Sequence, residues 1–125
     1  MNTYQLGIDV AKAKLDCALR QMQGKVLHKV VANTSAGFAH LLEFLDKHQA
    51  QDVHACMEAT GIYWEAVAEF LSARKGFTVS VINPSQIKAF AASRLTRTKT
   101  DKVDAGLSAM FCAERHPEPW QPPSE

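Results

Sequence analysis

The chain predicts an α/β fold, a mixed five-stranded sheet with helices on both faces. Three observations carry that expectation. Three strand-like segments follow one another within residues 4–32, strands and helices alternate after them, and 46% hydrophobic against 22% charged residues in a chain of 125 is the composition of one globular domain. A meander followed by alternation gives a sheet with both antiparallel and parallel pairs, and the parallel crossovers supply the helices.

The elements follow in order. Tyr4 to Val10, "YQLGIDV", is a short apolar run, and Lys14 to Arg20, "KLDCALR", alternates with Leu15, Cys17 and Leu19 on one face. "QMQGK" supplies a glycine turn, and the β-branched stretch Lys25 to Ala32 returns as a third strand. "NTSAG" offers capping side chains before "FAHLLEFLDKH", where Phe38, Leu41, Leu42 and Leu45 recur at helical spacing. Asp52 to Glu58 is a strand ending in an acid. "IYWEAVAEFLSARKG" then reads as a helix with Trp64, Val67, Phe70 and Leu71 on one face and Gly76 at its C-terminal cap. Phe77 to Ile82 is the fifth strand, and "PSQIKAFAAS" begins a short helix with proline in its first turn. A last helix runs from Asp101 to about Arg115. With the first, fourth and fifth strands parallel, this order is the ribonuclease H-like arrangement, although a generic α/β sandwich would share much of it. One domain is expected over residues 1–115, and 116–125, which holds four of the five prolines, reads as a linker or chain end.

Composition narrows the function classes. Cys17, Cys56 and Cys112 are odd in number, widely spaced and set among apolar or small residues, which is the usage of reduced core thiols in a cytoplasmic protein. No CxxC or HExxH spacing occurs and the five histidines suggest no ligand cluster, so a zinc site is not expected. No segment reaches the roughly 18 apolar residues of a membrane span. The net charge of +1 is uninformative, but its distribution is not: Lys88, Arg94, Arg97, Lys99 and Lys102 lie close together against one acid, Asp101. Interleaved with Ser93, Thr96, Thr98 and Thr100, they suit the phosphates of a nucleic-acid backbone better than a merely solvated loop.

Four acids are candidates for chemistry. Asp9 sits inside an apolar strand, where a carboxylate needs a partner or must point out near the strand end. Glu58 closes the strand expected to lie beside it, at the carboxyl end where open α/β sheets place their ligands. Asp101 and Asp104, three residues apart, put their Cβ atoms about 5–6 Å apart on one helix face. A capping box explains that last pair equally well when it is taken alone. Four carboxylates brought together would repel one another unless cations sit among them, and hard oxygen ligands suit Mg²⁺ or Mn²⁺. Two such ions about 3.5–4 Å apart are a known device for phosphodiester cleavage. "GIDVAKAK" also admits the phosphate hairpin of an actin-like ATPase, with Lys12 and Lys14 as contacts, although no second domain is present to close over a nucleotide.

"GIDVAKAKLDCAL", "MEATGIYWEAVAEFL", "VSVINPSQIKAFAASRLTRTKTDKVDAGLSAMFCAE" and the closing "PW" before "PPSE" together resemble the amino-terminal domain of the DEDD insertion-sequence transposases, a group that includes bridge-RNA-guided recombinases and pilin gene invertases. That resemblance implies a RuvC-like branch of the ribonuclease H class, with Asp9, Glu58, Asp101 and Asp104 as catalytic metal ligands. It also implies DNA as substrate, a structured guide RNA, assembly into dimers or tetramers, and a carboxyl-terminal domain bearing a serine nucleophile. Ser108 and the other serines of this chain are not expected to take that nucleophile's role. A Holliday-junction resolvase-like nuclease and a non-cleaving nucleic-acid-binding domain of the same fold are the alternatives.

Overall fold

A computed structural model describes residues 4–93 and 105–122. In chain order the elements are β1 (Tyr4–Val10), β2 (Lys14–Arg20), β3 (Val26–Ala32), α1 (Ser35–Lys47), β4 (Val53–Glu58), α2 (Glu65–Ser72), β5 (Phe77–Ile82), α3 (Pro84–Ser93) and α4 (Ala105–Arg115). The five strands form one sheet in the order β3-β2-β1-β4-β5. β1 pairs antiparallel with β2 and parallel with β4, β2 antiparallel with β3, and β4 parallel with β5. The first, fourth and fifth strands are thus parallel, as their order implied.

Alternation along the strands decides what each face receives. Leu6 and Ile8 of β1, Val53, Ala55 and Met57 of β4, and Val79 of β5 join Phe38, Leu41 and Leu45 of α1 and Val67, Ala68 and Leu71 of α2 in the larger core. Cys56 of β4 and Ile82 of β5 pack on the opposite face with Ile87 and Phe90 of α3 and Phe111 and Cys112 of α4. Helices therefore cover both faces. By the same alternation Gly7, Asp9, His54 and Glu58 belong to the face of α4.

Gly7 is what allows α4 to lie where it does. A Cβ built on it would run into the backbone carbonyl oxygen of Ala105 and the amide nitrogen of Ala109, and would stand 3.1 Å from the carbonyl carbon of Ala105. The helix backbone rests directly on β1. Ala18, paired with Gly7 across β2, is likewise small and fully buried.

Two helix boundaries differ from those the sequence predicts. α1 starts at Ser35 because Thr34 accepts from the Gly37 amide at 3.1 Å, so the cap itself opens the helix three residues before Phe38. α2 covers Glu65–Ser72 and not the whole of "IYWEAVAEFLSARKG": Gly61, at φ +65, keeps the preceding stretch a turn, and Ala73 already caps the helix. Gly76, at φ +88, belongs to the turn into β5, where its carbonyl accepts from the Val53 amide at 3.1 Å. The start of the last helix at Asp101 lies outside the described residues.

Residues 116–122 have no helix or strand, and the part from Pro117 to Trp120 is fastened to the sheet at β5. The Trp120 amide donates to the Val79 carbonyl at 2.6 Å, and the Trp120 ring meets Trp64 edge-on at 5.8 Å between centroids. Among the described residues, no helix is long and apolar enough to cross a membrane.

Candidate active site

Asp9 and Glu58 meet at the carboxyl ends of two neighbouring parallel strands in the middle of the sheet. The β1–β4 ladder runs to Ile8 opposite Met57, and each acid is the residue that follows, on the face of α4. Both side chains are half-buried. Burial, reinforced by the negative charge of Asp9, raises the Glu58 carboxyl above the usual glutamate value, while the ammonium of Lys88 on α3 opposes the rise. Two neighbouring acids in a partly desolvated place, one of them raised by burial and by the other's charge, with a cation nearby, form a donor set that fits a hard divalent ion.

The structure brings together Asp9, Glu58 and Lys88. Asp101, Asp104, Arg94, Arg97, Lys99 and Lys102 lie outside the described residues, but the helix that follows them begins at Ala105, against Gly7 on β1.

A pH dependence follows from Glu58. Its folded value lies above the ordinary glutamate value of 4.5, so its ionisation weakens the fold. Stability falls as pH rises through the window from that value to the raised one, and the penalty is fully present above it. In divalent-free buffer, Glu58→Gln should therefore unfold at a higher temperature than wild type at neutral pH, with the gap closing in acid. A gap unchanged between neutral and acid pH would contradict the assignment.

The turns around the acids are held by a residue that the sequence marks only as a capping candidate. Asn33, just after β3, donates from Nδ2 to the carbonyls of Ala11 at 2.9 Å and Tyr63 at 3.0 Å, tying the turn after Asp9 to the one after Glu58. Its cue was the polar cluster "NTS", in which Thr34 is the cap and Asn33 the clamp. Tyr63 and Ile62 of that second turn are 43% and 67% exposed, because α2 begins only at Glu65.

One expectation needs correcting behind the acids. His54, Cys56 and Cys112 do come together, their ligand atoms within 4.8 Å of one another, so the histidines do enter one ligand-type cluster. Spacing could not show this, because His54 and Cys56 share a strand face while Cys112 arrives on α4. The group has its own structural bonds. His54 Nε2 lies 2.7 Å from Ser80 Oγ, which faces the carbonyls of Pro117 at 3.1 Å and Glu118 at 2.8 Å. Those carbonyls only accept, so the one Ser80 proton goes to them and His54 Nε2 carries the N–H that Ser80 accepts. All three cysteines are buried free thiols, as expected. Burial, together with the nearby Asp16 charge, pushes the Cys17 thiol up to about 12, and burial raises Cys56 as well.

With this geometry in place, solved structures define the class. Thermus thermophilus RuvC superimposes on the chain with a TM-score of 0.61 at 18% identity, over 90% of this chain and 96% of that one. The same protein in complex with a Holliday junction substrate gives a TM-score of 0.61 at 16% identity over the same shares. The fold is RuvC-like, of the ribonuclease H class. Residues 6–125 match the family of DEDD transposases of the IS110 type, and the chain belongs to that transposase family. Pilin gene-inverting proteins of Moraxella lacunata and Moraxella bovis are each 35% identical to it over the whole chain, which spans 39% of their length. The chain is thus a RuvC-like domain of the transposase family.

Proposed function

We propose that the chain is the metal-dependent catalytic domain of a DNA transposase or site-specific recombinase, in which Asp9, Glu58, Asp101 and Asp104 hold Mg²⁺ or Mn²⁺. The observation that supports this most is the placement of Asp9 and Glu58 side by side at the carboxyl ends of two parallel central strands, where burial and the Asp9 charge raise the Glu58 carboxyl. A divalent ion, when bound there, supplies Lewis acidity toward a phosphoryl oxygen and a nucleophile usable at neutral pH. The chain's own residues do the remaining work. Asp9 and Glu58 present their oxygens from rigid strands, Asn33 fixes the two turns beside them, and Lys88 offers a positive charge to an approaching phosphate. Arg94, Arg97, Lys99 and Lys102 extend that contact along the nucleic acid. The full-length protein, on this reading, adds a carboxyl-terminal domain with a serine nucleophile, works as a dimer or tetramer, and is directed by a structured guide RNA.

Calorimetric titration with Mn²⁺ and Mg²⁺ tests the ligand set. Asp104→Ala should abolish binding that Asp46→Ala, on the exposed side of α1, leaves intact. Equal binding by both would remove Asp104 from the site and return "TDKVDA" to the role of a helix cap.

A further inference from the structure

The charges are unevenly placed along the chain, apart from the segment around Lys88. Residues 10–34 carry Lys12, Lys14, Arg20, Lys25 and Lys29 with Asp16 as their one acid, while residues 35–72 carry six acids with Lys47 as their one cation. In the fold the first group lies on the β2–β3 hairpin and the turn that leads into it, at the edge of the sheet. Lys12, Lys14, Lys25 and Lys29 are exposed and Arg20 is partly so. Lys14 lies 3.6 Å from Asp16, the one ion pair made by the hairpin among the described residues.

Register places the hairpin relative to the acids. Asp9 faces Asp16 and Gln5 faces Arg20, so Lys14, Asp16 and Arg20 share the sheet face of Asp9 and Glu58. α4 buries Ala18 between them, but Val30, paired with Asp16 one strand further out, is 55% exposed, so the outer part of this face is open. An edge strand commonly carries lysine to discourage pairing with another chain. That accounts for Lys29 on β3. It does not account for Lys12 and Lys25 in turns, nor for Lys14 and Arg20 on the inner strand.

Distance fits a duplex. Strands about 4.8 Å apart put β3 about 10 Å from β1, and the four residues from Asp16 to Arg20 span about 13 Å. At about 3.4 Å of rise per base pair, the hairpin cations stand roughly three to five base pairs from the carboxylates.

We infer that the β2–β3 hairpin, with the turn that leads into it, is a second contact for duplex DNA, in which Lys12, Arg20 and Lys25 hold the phosphates of the arm that leaves the carboxylate pair on the β3 side. This rests on the proposed DNA chemistry at Asp9 and Glu58 for its direction, but its test needs no cleavage and no divalent ion.

The test is fluorescence anisotropy of a labelled DNA duplex titrated with this chain in EDTA over a range of salt, using wild type, the pair Lys12→Gln with Lys25→Gln, and the control Lys47→Gln. The double variant should weaken binding at low salt by about tenfold and flatten the log–log salt dependence by about 1.8, near 0.9 for each phosphate that is no longer neutralised, while the control matches wild type. An unchanged slope, no duplex binding by wild type, or a weakening confined to a structured RNA probe would each overturn the proposal. Thermal unfolding confirms that the exposed substitutions leave the fold intact. Since EDTA silences the carboxylates, a failed metal titration with a preserved hairpin effect would refute the active-site reading and leave the hairpin as a DNA contact.

Discussion

Gly7→Ala is expected to be the most damaging small substitution in this chain, costing at least about 3 kcal/mol. An ordinary overpacked core relieves itself by turning side chains, but here the atoms in the way are the Ala105 carbonyl oxygen and the Ala109 amide nitrogen. Only a shift of the whole α4 backbone away from β1 makes room. Such a shift also pulls Phe111 and Cys112 out of the second core. It displaces the start of the helix that directly follows Asp101 and Asp104, so divalent binding should fall along with stability. Urea unfolding followed by circular dichroism measures the first effect. An unfolding free energy within about 0.5 kcal/mol of wild type would mean that α4 does not lie on Gly7, since surface-like tolerance has that size.

Asp9→Asn is expected to have the largest effect on activity. The amide keeps the shape of the side chain but not the charge that holds a hard cation, and it removes one of the two acids set side by side on neighbouring strands. If the divalent ion supplies several kcal/mol of transition-state stabilisation, the loss is roughly 10²–10³-fold or more in DNA strand cleavage. The fold should survive, because replacing Asp9 also removes the charge that adds to burial in raising Glu58. A variant that folds as well as wild type and does not cut would separate chemistry from structure.

Much of this architecture was legible in the sequence because strand and helix periods are local. The alternation of Leu15, Cys17 and Leu19 and the helical spacing of Phe38, Leu41 and Leu45 each named a buried face, and those residues are buried. Asp9 was legible because a charge in an apolar strand is costly without a purpose, and Glu58 because it ends the strand next to it. What the sequence hid were contacts between distant segments. Asn33 resembles one more capping residue until Ala11 and Tyr63 are seen on its amide. Cys112 reads as a core thiol, which it is, but its meeting with His54 and Cys56 depends on where α4 crosses the sheet. The start of α2 is placed too early by sequence because Ile62, Tyr63 and Trp64 are apolar, whereas the positive φ of Gly61 keeps them in a turn. The proline-rich end gives no sign that Trp120 reaches back to Trp64 and Val79.

The central claim is that Asp9 and Glu58 belong to a divalent-ion site that breaks DNA. The most direct measurement is strand cleavage of a DNA substrate by a protein of the relatives' full length carrying this chain, with Mg²⁺ or EDTA, for wild type and Asp9→Asn. Cleavage by wild type in Mg²⁺ alone, with none above background from a well-folded Asp9→Asn, is the predicted result. Cleavage by wild type that persists in EDTA, or that Asp9→Asn leaves unchanged in Mg²⁺, would contradict it.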